Sequence, residues 1–483
     1  MGLKDATFRW FAAAAFAAAV IARAPHALAD AEQTSTPAAP SLSAIQLAAQ
    51  DQAIENPAFP PGKSTLTPKD EKFLDDLESR GIQFYIDSAD PITGLMPDRA
   101  KANGGAGEIA STASVGFGLT ALCVGDYRGW VPRQEAYDRS LRVLRFLRDH
   151  GPQEHGYFYH FLDMHTGERA WKCEVSDIDT AILMAGVLTV RQHFAGTELA
   201  KVADELYEGV DWPWMLGSDG MLCMHWKPET GFSRARWRDF NEGPLLYLLA
   251  IGSQSHPIPS DTWRAWRRER ILTYAGLTYI QNPPLFTQQY PQVWFDLRGL
   301  RDDYADYFHN SQLATLSQRQ WTIDELSTKF PTYGPNMWGL TASDSEHGYK
   351  GWGGPPTWRD DRIDGSVVPA AAAGSLAFEP RICLDDLENM RANYGEKGYL
   401  KYGFVDAFNP AAGWYNPDVL GIDIGPSVLM AENCRSAFVW QTFMSSPEAR
   451  AAIKAAGFRA VESSDVLPTT SLFNAHQTTA SGG

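Results

Sequence analysis

The sequence predicts an all-α protein built as an (α/α)6 toroid, in which an inner ring of helices lies inside an outer ring. Six segments are apolar on nearly all sides and rich in small residues, as expected of fully buried helices. Amphipathic segments with charged faces lie between them. The buried segments recur at intervals of roughly 55 to 69 residues, which leaves room for two helices and their loops in each unit.

Each predicted element follows from this pattern. The inner helices are expected within residues 111–125, 176–190, 241–253, 310–321, 365–376 and 423–440. The amphipathic outer elements are expected within residues 67–86, 133–150, 198–210, 260–277 and 383–395. The chain between 326 and 364 is instead rich in glycine and aromatic residues and predicts a long ordered loop. A loop of this length is typical of a functional wall, here one wall of a cleft.

The ends of the chain differ in composition from this body. Lys4 and Arg9 precede an apolar stretch that ends in "ALA", so residues 1–29 predict a secretory signal cleaved after Ala29 and a periplasmic or secreted protein. Residues 30–66 and 461–483 are predicted to be disordered or loosely attached. The predicted folded domain is therefore 67–460. After signal cleavage, no apolar run reaches the length of about 20 residues that spans a membrane.

Charge and cysteine content exclude several classes of function. The net charge of −16 disfavours nucleic acids and other polyanions as partners. The five cysteines are widely spaced without a CxxC pair, so they predict no zinc site, and one or two disulfides stay open. His155, His160 and His165 are five residues apart and share no helical face, which favours loop positions over a metal site. We expect no cofactor, and no residue is assigned to a metal; a structural metal and the oligomeric state stay open.

Three acids stand at the predicted starts of inner helices. Ser176 and Asp179 form the S-x-x-D pattern of a capping box, which leaves Glu174 outside the cap. Glu242 and Asp423 come just before helix-compatible prolines. If the inner helices are parallel, their N-terminal ends open on one face. Glu174, Glu242 and Asp423 would then line that face, although acids at helix starts are also common for structural reasons.

Two carboxyl groups across a cleft are what glycoside hydrolysis requires. Glu242 and Asp423 belong to opposite members of a six-helix ring, so one could protonate the leaving oxygen while the other activates water. An inverting enzyme places them roughly 6.5–9.5 Å apart. A helix start lowers the pKa of a carboxyl group, so the acid needs burial or a neighbouring charge. We expect Asp239 to supply that charge to Glu242.

The chain is also rich in aromatic residues, with 16 Trp, 18 Tyr and 24 Phe. Several tryptophans fall among glycine, proline and polar residues, where the ring either anchors a loop or stacks on a sugar. The predicted substrate-binding residues are Asp177, Asp239, Trp226, Lys227, Trp237, Tyr290, Trp338, Asp344, Tyr349, Trp352, Trp414 and Tyr415.

Several long motifs, among them "GYFYHFLDMHTGERAWKCEVSDIDTAILMAG", "HWKPETGF", "WFDLRGLRDDYADYFHNS" and "YGFVDAFNPAAGWYNPDVLGIDIGPSVLMAEN", resemble the glucoamylase-like glycoside hydrolase family 144. The resemblance covers about residues 68–458. It implies an (α/α)6 barrel and hydrolysis of β-1,2-glucan, endo-acting or sophorose-releasing, with inversion. By motif, it implies Glu242 as general acid, Asp423 as candidate base and Glu174 as a further acid of the cleft.

The chain departs from the family pattern beside two of these acids. Asp177 stands where a small hydroxyl residue is expected, and Gly243-Pro244 replace alanine and a larger apolar residue, which leaves the exact substrate and cleavage mode open. A transglycosylase, another β-glucan hydrolase and a glucan-binding protein are alternatives on the same fold. A polysaccharide lyase would need residues such as Tyr159, His160, Tyr290 or His347, and the acidic chain argues against its anionic substrate.

Overall fold

The computed structural model describes residues 66–105, 107–355 and 362–461. The predicted signal peptide, the segment up to residue 65, residues 356–361 of the predicted long loop and the C-terminal tail from residue 462 lie outside these ranges. The described α-helices are α1 Pro68–Ser88, α2 Thr112–Arg128, α3 Arg133–His150, α4 Asp177–His193, α5 Glu198–Glu208, α6 Gly243–Gly252, α7 Phe286–Trp294, α8 Tyr307–Trp321, α9 Pro369–Ala373, α10 Pro380–Gly398, α11 Gly421–Arg435, α12 Phe438–Met444 and α13 Pro447–Ala455.

Short antiparallel strands connect the helices. They are β1 Arg99–Lys101, β2 Ile109–Ser111, β3 Gln153–Glu154, β4 Tyr157–Phe158, β5 Phe161–Asp163, β6 Val175–Ser176, β7 His225–Lys227, β8 Gly231–Phe232, β9 Ile271–Tyr274, β10 Leu277–Ile280, β11 Leu300–Arg301, β12 Ala342–Ser343, β13 Lys350–Gly351, β14 Tyr399–Leu400, β15 Gly403–Phe404, β16 Phe408–Asn409, β17 Trp414–Tyr415, β18 Asp418–Leu420 and β19 Arg459–Ala460. Most pair two by two, and β6, β7 and β8 form a three-stranded sheet.

The helices pack in two layers. In the inner layer, α2 packs against α4 and α11, α4 against α6, α6 against α7, and α11 against α7 and α9. Every residue of α6 and α9 is buried, as expected for helices without a polar face. In the outer layer, α1 covers α11 and α2, α5 covers α4, and α10 covers α9. The charged faces of these outer helices point to solvent, in agreement with the sequence pattern.

Two glycines bring α2 and α4 unusually close together. A Cβ atom on Gly116 would lie 2.3 Å from the carbonyl oxygen of Ile182, and one on Gly186 would lie 2.2 Å from the carbonyl oxygen of Gly116. Both obstacles are backbone atoms, which cannot rotate away. The two inner helices therefore touch backbone to backbone, and only glycine fits at the crossing.

One inner element was assigned wrongly from the sequence. Residues 310–321 do lie in a helix, α8, but α7 is the helix that packs between α6 and α11. Its sequence "FTQQYPQVW" contains three glutamines and therefore lacks the apolar pattern expected of an inner helix. In the structure these glutamines are buried and form hydrogen bonds. Gln289 Nε2 donates to the carbonyl oxygen of Ala371 at 2.9 Å, and Gln292 Nε2 donates to Ser311 Oγ at 2.7 Å. Amides that donate such hydrogen bonds can take the place of apolar side chains in a core.

The predicted outer helix at 260–277 is also corrected. The structure has a 3-10 helix at Ser260–Arg264, followed by the β9–β10 hairpin. Ala275 and Gly276 form its two-residue turn with φ of 50° and 81°, as a type I′ hairpin turn requires. Arg268 is only 2% exposed and donates hydrogen bonds to the carbonyl oxygens of Trp263 and Trp266. Its guanidinium group was expected on a solvent-exposed helix face, but it is buried and holds this segment together.

All five cysteines are free thiols, which answers the question that the sequence left open about disulfides. In the three described ranges, no helix combines the length and the apolar character needed to cross a membrane.

Candidate active site

A cleft of about 890 Å³, counting the part open to solvent, lies where inner helices begin. Helices α2, α4, α6 and α11 present their N-terminal ends to it, and so does α7, so four of the six predicted inner helices open on one face. Its polar and aromatic lining comprises Glu174, Asp179, Glu242, Asp423, His160, His225, Trp237, Phe286, Tyr290 and Tyr349. The three acids singled out in the sequence therefore line one cleft.

Glu242 occupies the N-cap position of α6 and is only 8% exposed. Its Oε2 atom is buried and has no hydrogen-bond partner in the described part of the chain. Burial raises the pKa of Glu242 to about 7; a backbone hydrogen bond opposes the rise, and the charge of Asp179 adds to it. A carboxyl group with this pKa holds a proton near neutral pH and can donate it, as general acid catalysis requires.

The neighbouring charge that raises the pKa of Glu242 comes from a different residue than expected. Asp239 forms ion pairs with Arg267 at 2.7 Å and with Arg270 at 3.5 Å. The carboxylate that acts on Glu242 is Asp179, from the first turn of the adjacent helix α4. The sequence pattern placed Asp179 only in a helix cap. In the structure Ser176 Oγ caps α4 by accepting a hydrogen bond from the backbone N–H of Asp179, and the side chain of Asp179 lines the cleft.

A histidine joins the two acids at the start of α4. His160 Nδ1 lies 3.0 Å from Glu174 Oε1, and His160 Nε2 lies 3.5 Å from Asp179 Oδ1. Burial lowers the pKa of His160, but the charges of Asp179 and Glu174 outweigh it and raise the pKa to about 9. His160 is therefore a cation at neutral pH, although the sequence placed it in a loop without a role in hydrolysis.

Glu174 is correspondingly an anion. Burial raises its pKa, but the hydrogen bond and charge of His160 outweigh burial, and Lys227 adds to the lowering, so that the pKa falls to about 2. Lys227 Nζ lies 3.5 Å from Glu174 Oε2. Glu174 can accept hydrogen bonds from a ligand in the cleft, but it holds no proton to donate near neutral pH.

Asp423 lies in the first turn of α11 and is 9% exposed. Its Oδ2 atom is buried without a hydrogen-bond partner among the described residues. Burial and the charge of Asp406 raise the pKa of Asp423 well above its usual range. Asp406 was not identified from the sequence, because "FVDAF" carries no capping or spacing pattern; only the fold brings it to Asp423.

Three predicted substrate-binding aromatics line the cleft: Trp237, Tyr290 and Tyr349. Asp177 is fully buried and fixes one of them, since Trp237 Nε1 donates to both of its carboxylate oxygens at 2.9 Å. Asp177 is thus placed behind the ring that lines the cleft. Tyr290 is oriented by its hydroxyl group, which donates to the carbonyl oxygen of Ile422 at 2.8 Å.

Other predicted binding residues lie elsewhere. Trp338 and Trp352 are 0% and 1% exposed, so their rings belong to the core and cannot stack on a sugar, which corrects the prediction for both. The sequence could not show that the loop folds back over its own rings. The remaining members lie beside the cleft or in the surrounding loops: Trp226 packs on Trp214, Asp344 binds Arg99 and Asn416, and Trp414 and Tyr415 form β17.

Among the described residues, no group of three or more His, Cys, Asp or Glu side chains is arranged to hold a metal ion. The cleft offers its carboxyl groups, its cationic His160 and its aromatic rings to a ligand.

Comparisons with known proteins place this cleft in a family. A sequence profile of the Glycoamylase family, described as putative glucoamylase, matches residues 234–447. An exo β-1,2-glucooligosaccharide sophorohydrolase of Parabacteroides distasonis is 28% identical over 424 residues, which cover 80% of this chain. The chain spans 58% of the length of that relative.

Two solved structures are similar over almost their whole length. The endo-β-1,2-glucanase of Chitinophaga pinensis, in complex with sophorotriose and glucose, superposes with a TM-score of 0.76 at 29% identity, covering 81% of this chain and 98% of that one. A putative glucoamylase of Bacteroides fragilis gives a TM-score of 0.75 at 32% identity, covering 83% and 99%. The chain therefore belongs to the glucoamylase-like family, glycoside hydrolase family 144.

Proposed function

We propose that the protein hydrolyses β-1,2-glucan, either within the chain or by releasing sophorose, with inversion at the anomeric carbon. The observation that carries this proposal is the cleft occupied by both Glu242, buried with an unpartnered oxygen and a pKa of about 7, and Asp423. The names of the relatives from Parabacteroides distasonis and Chitinophaga pinensis support the substrate class. The net charge of −16 suits a neutral polysaccharide.

In this mechanism Glu242 donates its proton to the glycosidic oxygen as the bond to the anomeric carbon breaks. Water, assisted by the Asp423 carboxyl group as base, attacks from the other side of the sugar ring. Positive charge develops on the ring in the transition state. The ionised Glu174 lies in the same cleft, where it can accept hydrogen bonds from sugar hydroxyls and favour that charge. Tyr349, which is partly exposed, offers ring surface for the apolar face of a glucose unit.

The architecture that we propose for this chemistry is the (α/α)6 toroid. Its inner helices would be α2, α4, α6, α7, α9 and α11. Support comes from the order in which they pack, with α11 contacting both α2 and α7, and from the five helix starts that share the cleft. We also propose that the protein acts in the periplasm or outside the cell. The signal-like composition of residues 1–29 supports this location.

The test is a product assay on linear β-1,2-glucan with proton NMR of the first products. We expect sophorose and short oligosaccharides whose new reducing end is in the α configuration, because a single displacement inverts the β linkage. The size distribution with time separates endo from exo cleavage. Products with the β configuration would contradict the inverting mechanism, and the absence of products from this glucan would contradict the substrate.

The pH dependence of kcat/KM is a further prediction. Because Glu242 must be protonated to act, activity should fall as pH rises through its pKa of about 7, by about one log unit per pH unit beyond it. Rates measured between roughly pH 5 and 9 check this. Asp386, another fully buried carboxyl group but one in α10, provides the control, since Asp386→Asn should leave this limb in place. Activity that stays constant to about pH 9 would contradict the role of Glu242.

A further inference from the structure

Asp423 separates two cavities. On one side is the cleft, and on the other is a smaller cavity of about 400 Å³, also counting the part open to solvent, between α1, α9 and α11 and lined also by Asp406. Most of the remaining lining of the small cavity is apolar, as at Leu77, Pro369 and Val428. Asp406 is 3% exposed and Asp423 is 9% exposed, so the two carboxyl groups meet where little of either side chain contacts solvent.

Each of these carboxyl groups has one oxygen that no donor satisfies. Oδ1 of Asp406 and Oδ2 of Asp423 are buried without a hydrogen-bond partner among the described residues, apart from the other carboxyl group, which lies within hydrogen-bonding reach. Two carboxylates cannot satisfy each other, because both are acceptors only. One proton held between them resolves both deficits.

The surroundings decide which member of the pair carries the negative charge. Oδ2 of Asp406 accepts hydrogen bonds from the backbone N–H of Asp344 and from Asn416 Nδ2, both at 2.8 Å. Arg99 donates to Asp344 at 2.7 Å and adds positive charge nearby. Asp406 is therefore the better site for the anion, and Asp423 holds the proton. The charges of Asp98 and Asp344 also raise the pKa of Asp423. The charge of Asp423 in turn raises the pKa values of Tyr85, Tyr290 and Tyr349.

We propose that Asp406 is a positioning residue that receives a proton from Asp423 when Asp423 acts as the base. This rests on the proposed hydrolysis. As the water attacks, its O–H bond breaks and the proton passes to Asp423, while the proton already on Asp423 moves to Asp406. The proton of Glu242 goes to the leaving oxygen, so the total charge of the site is unchanged. A protonated Asp423 can in this way act as a base, which it could not do alone.

The first test needs no substrate, so it can fail or succeed independently of the proposed hydrolysis. Infrared difference spectra at neutral pH would compare the intact protein with Asp423→Asn and Asp406→Asn. We expect both variants to lose the same protonated-carboxyl band, because Asp423 ionises once Asp406 no longer shares its proton. The matched control Asp386→Asn should lose only its own band. A band of Asp423 that persists in Asp406→Asn would overturn the proposal.

The second test is kinetic. The pair must carry one negative charge to accept a proton, so activity should fall as pH drops through the pKa of Asp406, about 7. In Asp406→Asn the ionised Asp423 is a weaker base, so we expect kcat to fall by about 10-fold with little change in KM, and the fall of activity at acidic pH to move down by about one pH unit or more. Thermal unfolding confirms that the variant is folded. A folded variant whose rate or limb is unchanged would overturn the proposal.

Discussion

Glu242→Gln is expected to lower kcat on β-1,2-glucan by a factor on the order of 10² to 10⁴, because glutamine cannot protonate the leaving oxygen. Stability should be nearly unchanged, since the side chain keeps its size and the lost oxygen has no partner in the described fold. The measurement is the steady-state rate on the glucan, with thermal unfolding to establish that the variant is folded.

A substrate with an activated leaving group makes this prediction specific. A dinitrophenyl sophoroside needs no protonation when its bond breaks, so Glu242→Gln should cleave it at close to the rate of the intact protein. A loss that is equally large on both substrates would mean that Glu242 binds or orients the sugar and is not the acid.

Gly116→Ala is expected to have the largest effect on stability, a loss of about 3 kcal/mol in the free energy of unfolding. The new Cβ atom would lie 2.3 Å from the carbonyl oxygen of Ile182, so α2 and α4 would have to move apart. Both helices present their first turns to the cleft, and activity should fall with stability. Urea unfolding followed by circular dichroism measures the change.

Gly395→Ala provides the matched control inside another helix. In α10 a Cβ atom at Gly395 meets its nearest neighbour at 3.5 Å, an ordinary contact. This substitution should raise the free energy of unfolding by about 0.5 to 1 kcal/mol, because alanine favours the helix over glycine. If Gly116→Ala were as stable as Gly395→Ala, the backbone contact between α2 and α4 would not exist as described.

Local signals in the sequence were sufficient for the three acids of the cleft. Ser176 caps α4 and Pro244 lies in the first turn of α6, so helix starts could be located to within a few residues. Once helices of one kind are assumed to run parallel, acids at their starts must share a face. That step used only periodicity and capping chemistry, which are properties of neighbouring residues.

What the sequence did not predict depends on contacts between distant residues. Helix α7 escaped notice because Gln289 and Gln292 are buried only by virtue of partners on α8 and α9. Asp406 raises the pKa of Asp423, and Asp179 raises the pKa of Glu242. Neither pair has a sequence spacing that would predict this contact. Trp338 looked like a loop residue because its loop is long, whereas the fold encloses the ring.

The packing of α11 against α2 has a consequence for biosynthesis. These two helices are about 300 residues apart in sequence, yet the cleft contains Ala113 from one and Asp423 from the other. A ribosome must therefore release nearly the entire chain before the cleft can exist, and until then the face of α2 that packs against α11 has no cover. Such late, long-range closure is slow and exposes nascent chains to aggregation. Catalytic activity in a newly made sample would therefore measure the fraction of molecules in which α11 has packed against α2.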